Sequence, residues 1–403
     1  MSNSDKITFI RQEMPVTQSK VYLNTGTSGP LANITVKTLN KENARELSAG
    51  RADSEGFARL GETKAALRQA FAALTGASPA EIALTHHTTA GMNIALHGLN
   101  WQPGDEVIST TLDHQGGLLP LYILRQRKGI VVKIVDLLGL RSDEEIVRRL
   151  EAAVTPRTRL ILFSHVAWNT GQQLPMAQIA AMARRHHVLT LVDAAQSAGA
   201  VPLNLPQSGV DFYAMPGQKW LCGPEGTGAL YIRRERLSMV QQTFIGYASL
   251  GNSGMYDYDG AFFAAPGARR FETGTVYRPA MHAMAENLRW LSESVGWELI
   301  FKRIADLSSY TFQALNALPG VQLITPEGGK SGLLTFTLKG YDPARVMVKL
   351  GQENIIVRFL PHPYALRVST GFYNTRNDID RFIASLKAVL SNSPQALPVY
   401  TPL

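Results

Sequence analysis

This 403-residue chain holds a single cysteine, Cys222. One thiol excludes an intramolecular disulfide and any cysteine-rich zinc module. No apolar run approaches the ~20 residues of a membrane-crossing helix, so no membrane partner is expected. Internal repeats and low-complexity linkers are missing. Long basic runs are missing too, despite a net charge of +8. The basic residues come in short pairs, Arg184-Arg185, Arg233-Arg234 and Arg269-Arg270. That scatter fits a basic enzyme handling anionic ligands better than a nucleic-acid binder. His86-His87 and His186-His187 lack metal-ligand spacing and neighbouring carboxylates, so they read as structural and no metal is expected. Few cysteines and a polar start without a leader pattern fit the cytoplasm.

The hydrophobic fraction is 45 %, enough for a large buried core. From Ile82 onward, short apolar runs alternate with longer amphipathic ones. "EIALTH", "DEVIST", "GIVVKIVDL", "RLILFSHV" and "VLTLVDA" read as strands. "AGMNIALHGL", "GGLLPLYILRQRK", "SDEEIVRRLEAAV" (capped by Ser142) and "MAQIAAMARRHH" read as helices. The alternation predicts an α/β fold, a mainly parallel sheet flanked by helices. Continuous apolar strands suit a sheet covered on both faces. After Ala280 the texture changes to a long helix broken near Gly296, then short strands and two more helices. The expected division is a large domain over 25–280 and a smaller C-terminal α+β domain over 281–403. Residues 1–24 are expected to pack with the smaller one.

In open parallel sheets, functional residues gather at the carboxyl ends of strands. After "EIALTH" come His87, Thr88, Thr89, Ala90 and Gly91, opening a helix. That is a phosphate cup or an ordinary threonine cap. After "DEVIST" comes His114, able to stack on a flat ring or to cap. Asn169 follows "RLILFSHV" as a ligand contact or a turn residue. Asp193 closes a buried apolar strand, which is costly without a cationic partner; the alternative is a helix cap. Lys219 follows "GVDFYAM" inside a Pro-Gly-rich turn, where a partly desolvated amine suits Schiff-base chemistry. A lysine for an aldehyde, a carboxylate for a pyridinium, a stacking histidine and a phosphate cup together point to pyridoxal 5'-phosphate (PLP).

Beside these residues, "TTAGMN", "LDHQGG", "HVAWNTGQQLP", "LVDAAQSAGA", "GQKWLCGPEGTGALYI", "RRFETGT" and "LRVSTGFYNTRNDID" resemble fold-type I PLP enzymes of the class V aminotransferase family. Within it, the chain looks nearest to cysteine/cystine C–S lyases and isopenicillin N epimerase-like proteins. The resemblance implies that Lys219 carries the cofactor and moves the substrate's α-proton. It implies that Asp193 pairs with the pyridine nitrogen, His114 stacks on the ring and Gln196 bonds the phenolic oxygen. Asn169 would lie near that oxygen and the substrate carboxylate. Thr89 and the amides of Ala90 and Gly91 would hold the phosphate. Thr275 would reach the neighbouring subunit's cofactor phosphate, which implies a homodimer with shared sites. Arg367 would clamp the carboxylate of a small amino-acid substrate, with Asn24 and "TGTSG" lining that side.

Two positions depart from the family pattern of Ser/Thr, any residue, His, Lys. Here Pro216 offers no hydroxyl or amide N–H, and Gln218 does not titrate. The phosphate is expected to lean on Thr89, its neighbouring amides and Thr275. "RFLPHPYALR", where the desulfurase members of the family carry a mobile cysteine, has none. Cys222 reads as a packing residue. The resemblance to the C–S lyases implies β-elimination on a cysteine- or cystine-type substrate. Transamination and epimerisation remain alternatives, and a non-catalytic relative is a further one. Arg358 and His362 read either as substrate contacts or as surface loop, and Trp168 and Trp220 either as site or as core.

Overall fold

The structure is a computed structural model, and it describes residues 3–252, 256–329 and 331–400. Thirteen strands are described: β1 (Val21–Tyr22), β2 (Ile82–Thr85), β3 (Glu106–Thr110), β4 (Val131–Val135), β5 (Thr158–Ser164), β6 (Leu189–Asp193), β7 (Phe212–Pro216), β8 (Gly228–Ile232), β9 (Val321–Leu323), β10 (Leu333–Leu338), β11 (Ile355–Ile356), β12 (Arg358–Leu360) and β13 (Ala365–Ser369). Seven form the main sheet in the order β2-β8-β7-β6-β5-β3-β4. Only β8 runs against its neighbours; the other contacts are parallel. The α/β class expected from the alternating pattern is therefore what the chain adopts. Every residue of β6, β7 and β8 is buried, as helices on both faces require.

Helix ends follow local chemistry. The Ser142 hydroxyl accepts from the Glu145 amide and starts helix Asp143–Glu151, whose first turn is acidic and last turn basic. Helix Gln115–Lys128 starts at His114 and stops at Gly129, which takes the left-handed φ of 68°. The long C-terminal helical stretch breaks where expected. Arg278–Arg289 passes through a wider turn over Trp290–Val295, and Gly296 at φ 93° restarts the chain as Trp297–Asn316. Helix Ser54–Thr75, by contrast, has no counterpart in the sequence reading. Its alanine-rich run has weak apolar periodicity, although Asp53 caps it through the Gly56 amide.

An antiparallel sheet, β12-β13-β10-β9, packs on helices Trp297–Asn316, Pro343–Gln352 and Arg376–Leu390. The amino-terminal segment joins it: β1 pairs in parallel with β11, and Arg11 bonds Asp378 at 2.7 Å. Directly after β1, the "NTGTSG" loop is carried between the two sheets. Gly29 there leaves no room for a side chain, since a Cβ would sit 2.2 Å from the Lys219 carbonyl oxygen.

Candidate active site

The strand order lines up the carboxyl ends of β2, β7, β6, β5 and β3. The residues following them are Thr88 and Thr89, Lys219, Asp193, Asn169 and His114. The sheet changes direction between β5 and β3, because β4 lies outside β3 while the chain returns to β5 on its other side. Ligand crevices open at such switch points.

Lys219 is half-buried. Burial pulls its amine down to about 8; Asp193 opposes the shift, and Arg367 and Arg358 add to it. Asp193 is buried at the end of β6, and its Oδ1 accepts from the Ala195 amide at 2.8 Å. The same carboxylate supports a charge on His114, against burial and the cations Lys219, Arg358 and Arg367, which together hold that imidazole below its usual range. His114 Nδ1 accepts from the Gly116 amide at 3.0 Å, so the neutral ring carries its proton on Nε2. His114 therefore caps its helix and also faces the crevice charges. Its ring meets Trp168 edge-on, 5.1 Å between centroids.

Asn169 is fixed from both sides. Its Nδ2 donates to the Thr111 carbonyl at 3.2 Å, while its Oδ1 is buried without a partner. The smaller sheet holds the loop around it. Arg367 donates to the Trp168 carbonyl (2.9 Å), Thr325 to that of Thr170 (2.6 Å) and Ser331 to that of Gly171 (2.8 Å). Gly171 is obligatory there, with φ 73° and the Leu333 carbonyl oxygen 2.3 Å from a notional Cβ.

Gln196 is buried with its amide engaged: Nε2 donates to the Gly26 carbonyl (2.8 Å) and Oε1 accepts from Trp220 Nε1 (2.9 Å). Asn24 accepts from the Thr27 hydroxyl at 2.7 Å. That same hydroxyl accepts from Arg358 at 2.9 Å and Arg367 at 3.3 Å. The two arginines stand directly opposite each other on β12 and β13, a costly pairing of like charges. Neither forms an ion pair among the described residues. Arg367 is buried, its Nε lacks a partner, and burial followed by Arg358 pulls its guanidinium down to about 9. Thr27 belongs to the "TGTSG" loop expected on the substrate side, but its bond to Arg367 spans 340 positions, a separation that no local pattern bridges.

At the start of helix Thr88–Gly98 the Ala90 amide donates to His87 Nδ1 (3.1 Å) and, like that of Gly91, to the His87 carbonyl. The amides ahead of them, on Thr88 and Thr89, precede the first intrahelical acceptor. Thr88 adds a buried hydroxyl with no partner. It opens the helix start expected to form the phosphate cup, where the resemblance assigns the hydroxyl contact to its neighbour Thr89. The Gln218 Oε1 is likewise buried and unpartnered. Thr275 is not brought to this site. It is exposed, 3.2 Å from the Tyr247 hydroxyl. Its loop is pinned by Glu272, which takes a two-pronged contact from Arg68 (2.9 Å each) and the Leu84 amide (3.2 Å).

Cys222 is buried, and burial pushes its thiol well above the ordinary range. The β12–β13 hairpin is short, with residues 361–364 between its strands. Among the described residues no cluster of metal-ligating side chains exists, and no helix is long and apolar enough to cross a membrane.

Against this geometry stand the comparisons with known proteins. A model of the family described as aminotransferase class-V matches residues 21–382. A probable cysteine desulfurase of Pseudomonas aeruginosa is 32 % identical over 329 residues, 78 % of this chain and 79 % of that protein. Isopenicillin N epimerase of Streptomyces clavuligerus is 31 % identical over 393 residues, 94 % and 97 % of the two chains. Among solved structures, the cystine C–S lyase C-DES, in complex with its reaction product cysteine persulfide, superposes with a TM-score of 0.88 at 30 % identity. That match covers 93 % of this chain and 98 % of the other.

Proposed function

The chain belongs to the aminotransferase class-V family, and on that footing we propose that it is a PLP-dependent C–S lyase acting by β-elimination on a cysteine- or cystine-type amino acid. The observation that carries the substrate side is the facing pair Arg358 and Arg367. Both converge on one hydroxyl, and neither has a carboxylate partner among the described residues. Such a pair is poised for a substrate with two carboxylates, and disulfide-linked cystine is one.

The residues present fit PLP. Thr88 supplies an unpartnered buried hydroxyl, and Thr89 stands beside it at a helix start. Gln218 has a buried amide oxygen without a donor. Turning that amide by half a rotation presents N–H groups instead, which suits a phosphate where Pro216 has none to give. Asp193 would pair with the pyridine nitrogen, His114 would lie against the ring, and Asn169 and Gln196 would serve the phenolic side. When bound, PLP draws electron density from the substrate's Cα. Lys219, its amine pulled down to about 8, would take the Cα proton increasingly as pH rises through that value. Arg367 and Arg358 hold the carboxylates and so fix which bonds at Cα and Cβ face the lysine. The C–H electron pair becomes the new Cα–Cβ double bond, and the Cβ–S pair leaves with sulfur. Hydrolysis then gives a keto acid and ammonia. No enzyme thiol enters, since Cys222 is buried and protonated.

The same proposal includes a homodimer in the cytoplasm. Phe244, Tyr247, Tyr256, Tyr258, Phe262 and Phe263 are all exposed, and they precede the loop that offers Thr275 at the surface. A second copy covering this face brings Thr275 to the partner's phosphate site. The test of the cofactor claim is reconstitution with PLP. The wild type gains a reducible, covalently held chromophore, and Lys219→Ala gains none that survives borohydride and denaturation. A covalent adduct persisting in Lys219→Ala removes the lysine's role.

A further inference from the structure

Asp113 has no part in the roles above, yet it is the most heavily bonded carboxylate near the crevice. Its Oδ2 accepts from Ser109 Oγ (2.8 Å), the Thr110 amide (2.8 Å) and Thr110 Oγ1 (2.9 Å). Its Oδ1 accepts from the Ser164 amide (2.6 Å) and Ser164 Oγ (2.9 Å). The residue is buried, and no cation pairs with it among the described residues. Burial pushes its carboxyl up to about 6, against these donors.

The place of this cluster gives it meaning. The β3–β5 pairing is irregular at Glu106/Val107, and its last register pair is Ile108 with Ile161. Beyond that pair the register of paired residues ends, and the switch point lies between the two strands. Asp113 spans it, gripping the end of β3 through Thr110 and the end of β5 through Ser164. Both walls hang from this brace. On the β3 side the next residue is His114. On the β5 side Trp168 Nε1 donates to the Asp113 carbonyl at 3.3 Å and meets the His114 ring edge-on.

We propose that Asp113 is a positioning residue for the cofactor crevice, its carboxylate setting the separation of β3 and β5 and with it the placement of His114 and Trp168. The inference rests on the reading that His114 lies against the PLP ring. Only a carboxylate serves. Each oxygen meets a main-chain N–H that cannot turn away, whereas an asparagine has a single acceptor end. In Asp113→Asn one of the Thr110 and Ser164 amides faces an NH2 group and is left without an acceptor.

The experiment compares holoprotein of the wild type, Asp113→Asn, His114→Ala and Leu386→Ala by visible circular dichroism of bound PLP and by PLP Kd. Leu386 lies buried in the C-terminal helix, and its truncation destabilises at a distance. Expected is a weakened dichroic band in Asp113→Asn and His114→Ala, with Kd raised about tenfold, and no change in Leu386→Ala. If His114→Ala alters the band while Asp113→Asn matches the wild type, the positioning role is refuted. If His114→Ala leaves the band untouched, the ring contact fails, and the inference with it. If Asp113→Asn does not fold, Ser164→Ala removes one hydroxyl donor and keeps the main-chain bond. It is expected to show the same change in smaller degree, and a wild-type band there equally overturns the proposal.

Discussion

Replacing Arg358 with methionine should separate stability from binding. Arg358 and Arg367 donate to the same Thr27 oxygen from 2.9 and 3.3 Å, so the two donating nitrogens lie no more than about 6 Å apart. Two unit charges at that distance repel by about 0.7 kcal/mol in water and about 3 kcal/mol at an effective dielectric constant of 20. Arg358 is half-buried, so its value falls between these. Methionine keeps the apolar stem, removes the repulsion and leaves Thr27 bonded to Arg367. The unliganded protein should therefore be unchanged or more stable by about 1 kcal/mol. Substrate binding moves the other way. Loss of a charge-assisted contact costs about 1.5–3 kcal/mol, which raises KM for cystine by about 10- to 150-fold. Cysteine, with one carboxylate, should be affected far less. The assays are denaturant unfolding of the apoprotein and steady-state kinetics with both substrates. A variant that is clearly destabilised and keeps the wild-type ratio of the two KM values refutes the reasoning.

Other consequences are equally direct. The folded Lys219 amine lies near 8, below its ordinary 10.5, so between these values the unfolded chain binds the extra proton. Apoprotein stability should rise with pH across this window by up to about 3 kcal/mol. The rise should be smaller in Lys219→Ala by that amount, and identical pH profiles for the two proteins contradict the shift. Cys222→Ala should retain sulfur release, with a stability loss of about 1–2 kcal/mol; abolished release in a folded variant makes the thiol a participant. Sedimentation of the holoprotein should show a dimer, and Thr275→Ala should weaken PLP retention without dissociating it. A monomer that turns over at full rate removes the shared site.

The parts of this protein legible in its sequence are those governed by short-range rules. Apolar strand runs and the residues just after them gave the sheet, and with it Lys219, Asp193, Asn169 and His114 in one crevice. Caps such as Ser142 and breaks such as Gly296 are local as well. Helix Ser54–Thr75 escaped because its packing, rather than its periodicity, defines it. The loop of Thr27 was legible, but its bonds to Arg358 and Arg367 were not, because they arise from β12 and β13 folding back over a loop from the other end of the chain. The brace at Asp113 joins the ends of two strands 51 positions apart, a feature of the assembled sheet that no stretch of residues announces. At the phosphate end, the departure at Pro216 and Gln218 was visible at once. The unpartnered hydroxyl of Thr88 shows where a further donor stands.

The central claim is elimination from a cystine-type substrate, and its most direct test is product analysis. PLP-loaded enzyme is incubated with L-cystine and no added keto acid. The account predicts pyruvate and ammonia in equal amounts, together with cysteine persulfide, at a rate lost in Lys219→Ala. Turnover that strictly requires a keto acid acceptor, or loss of optical activity without pyruvate, contradicts it.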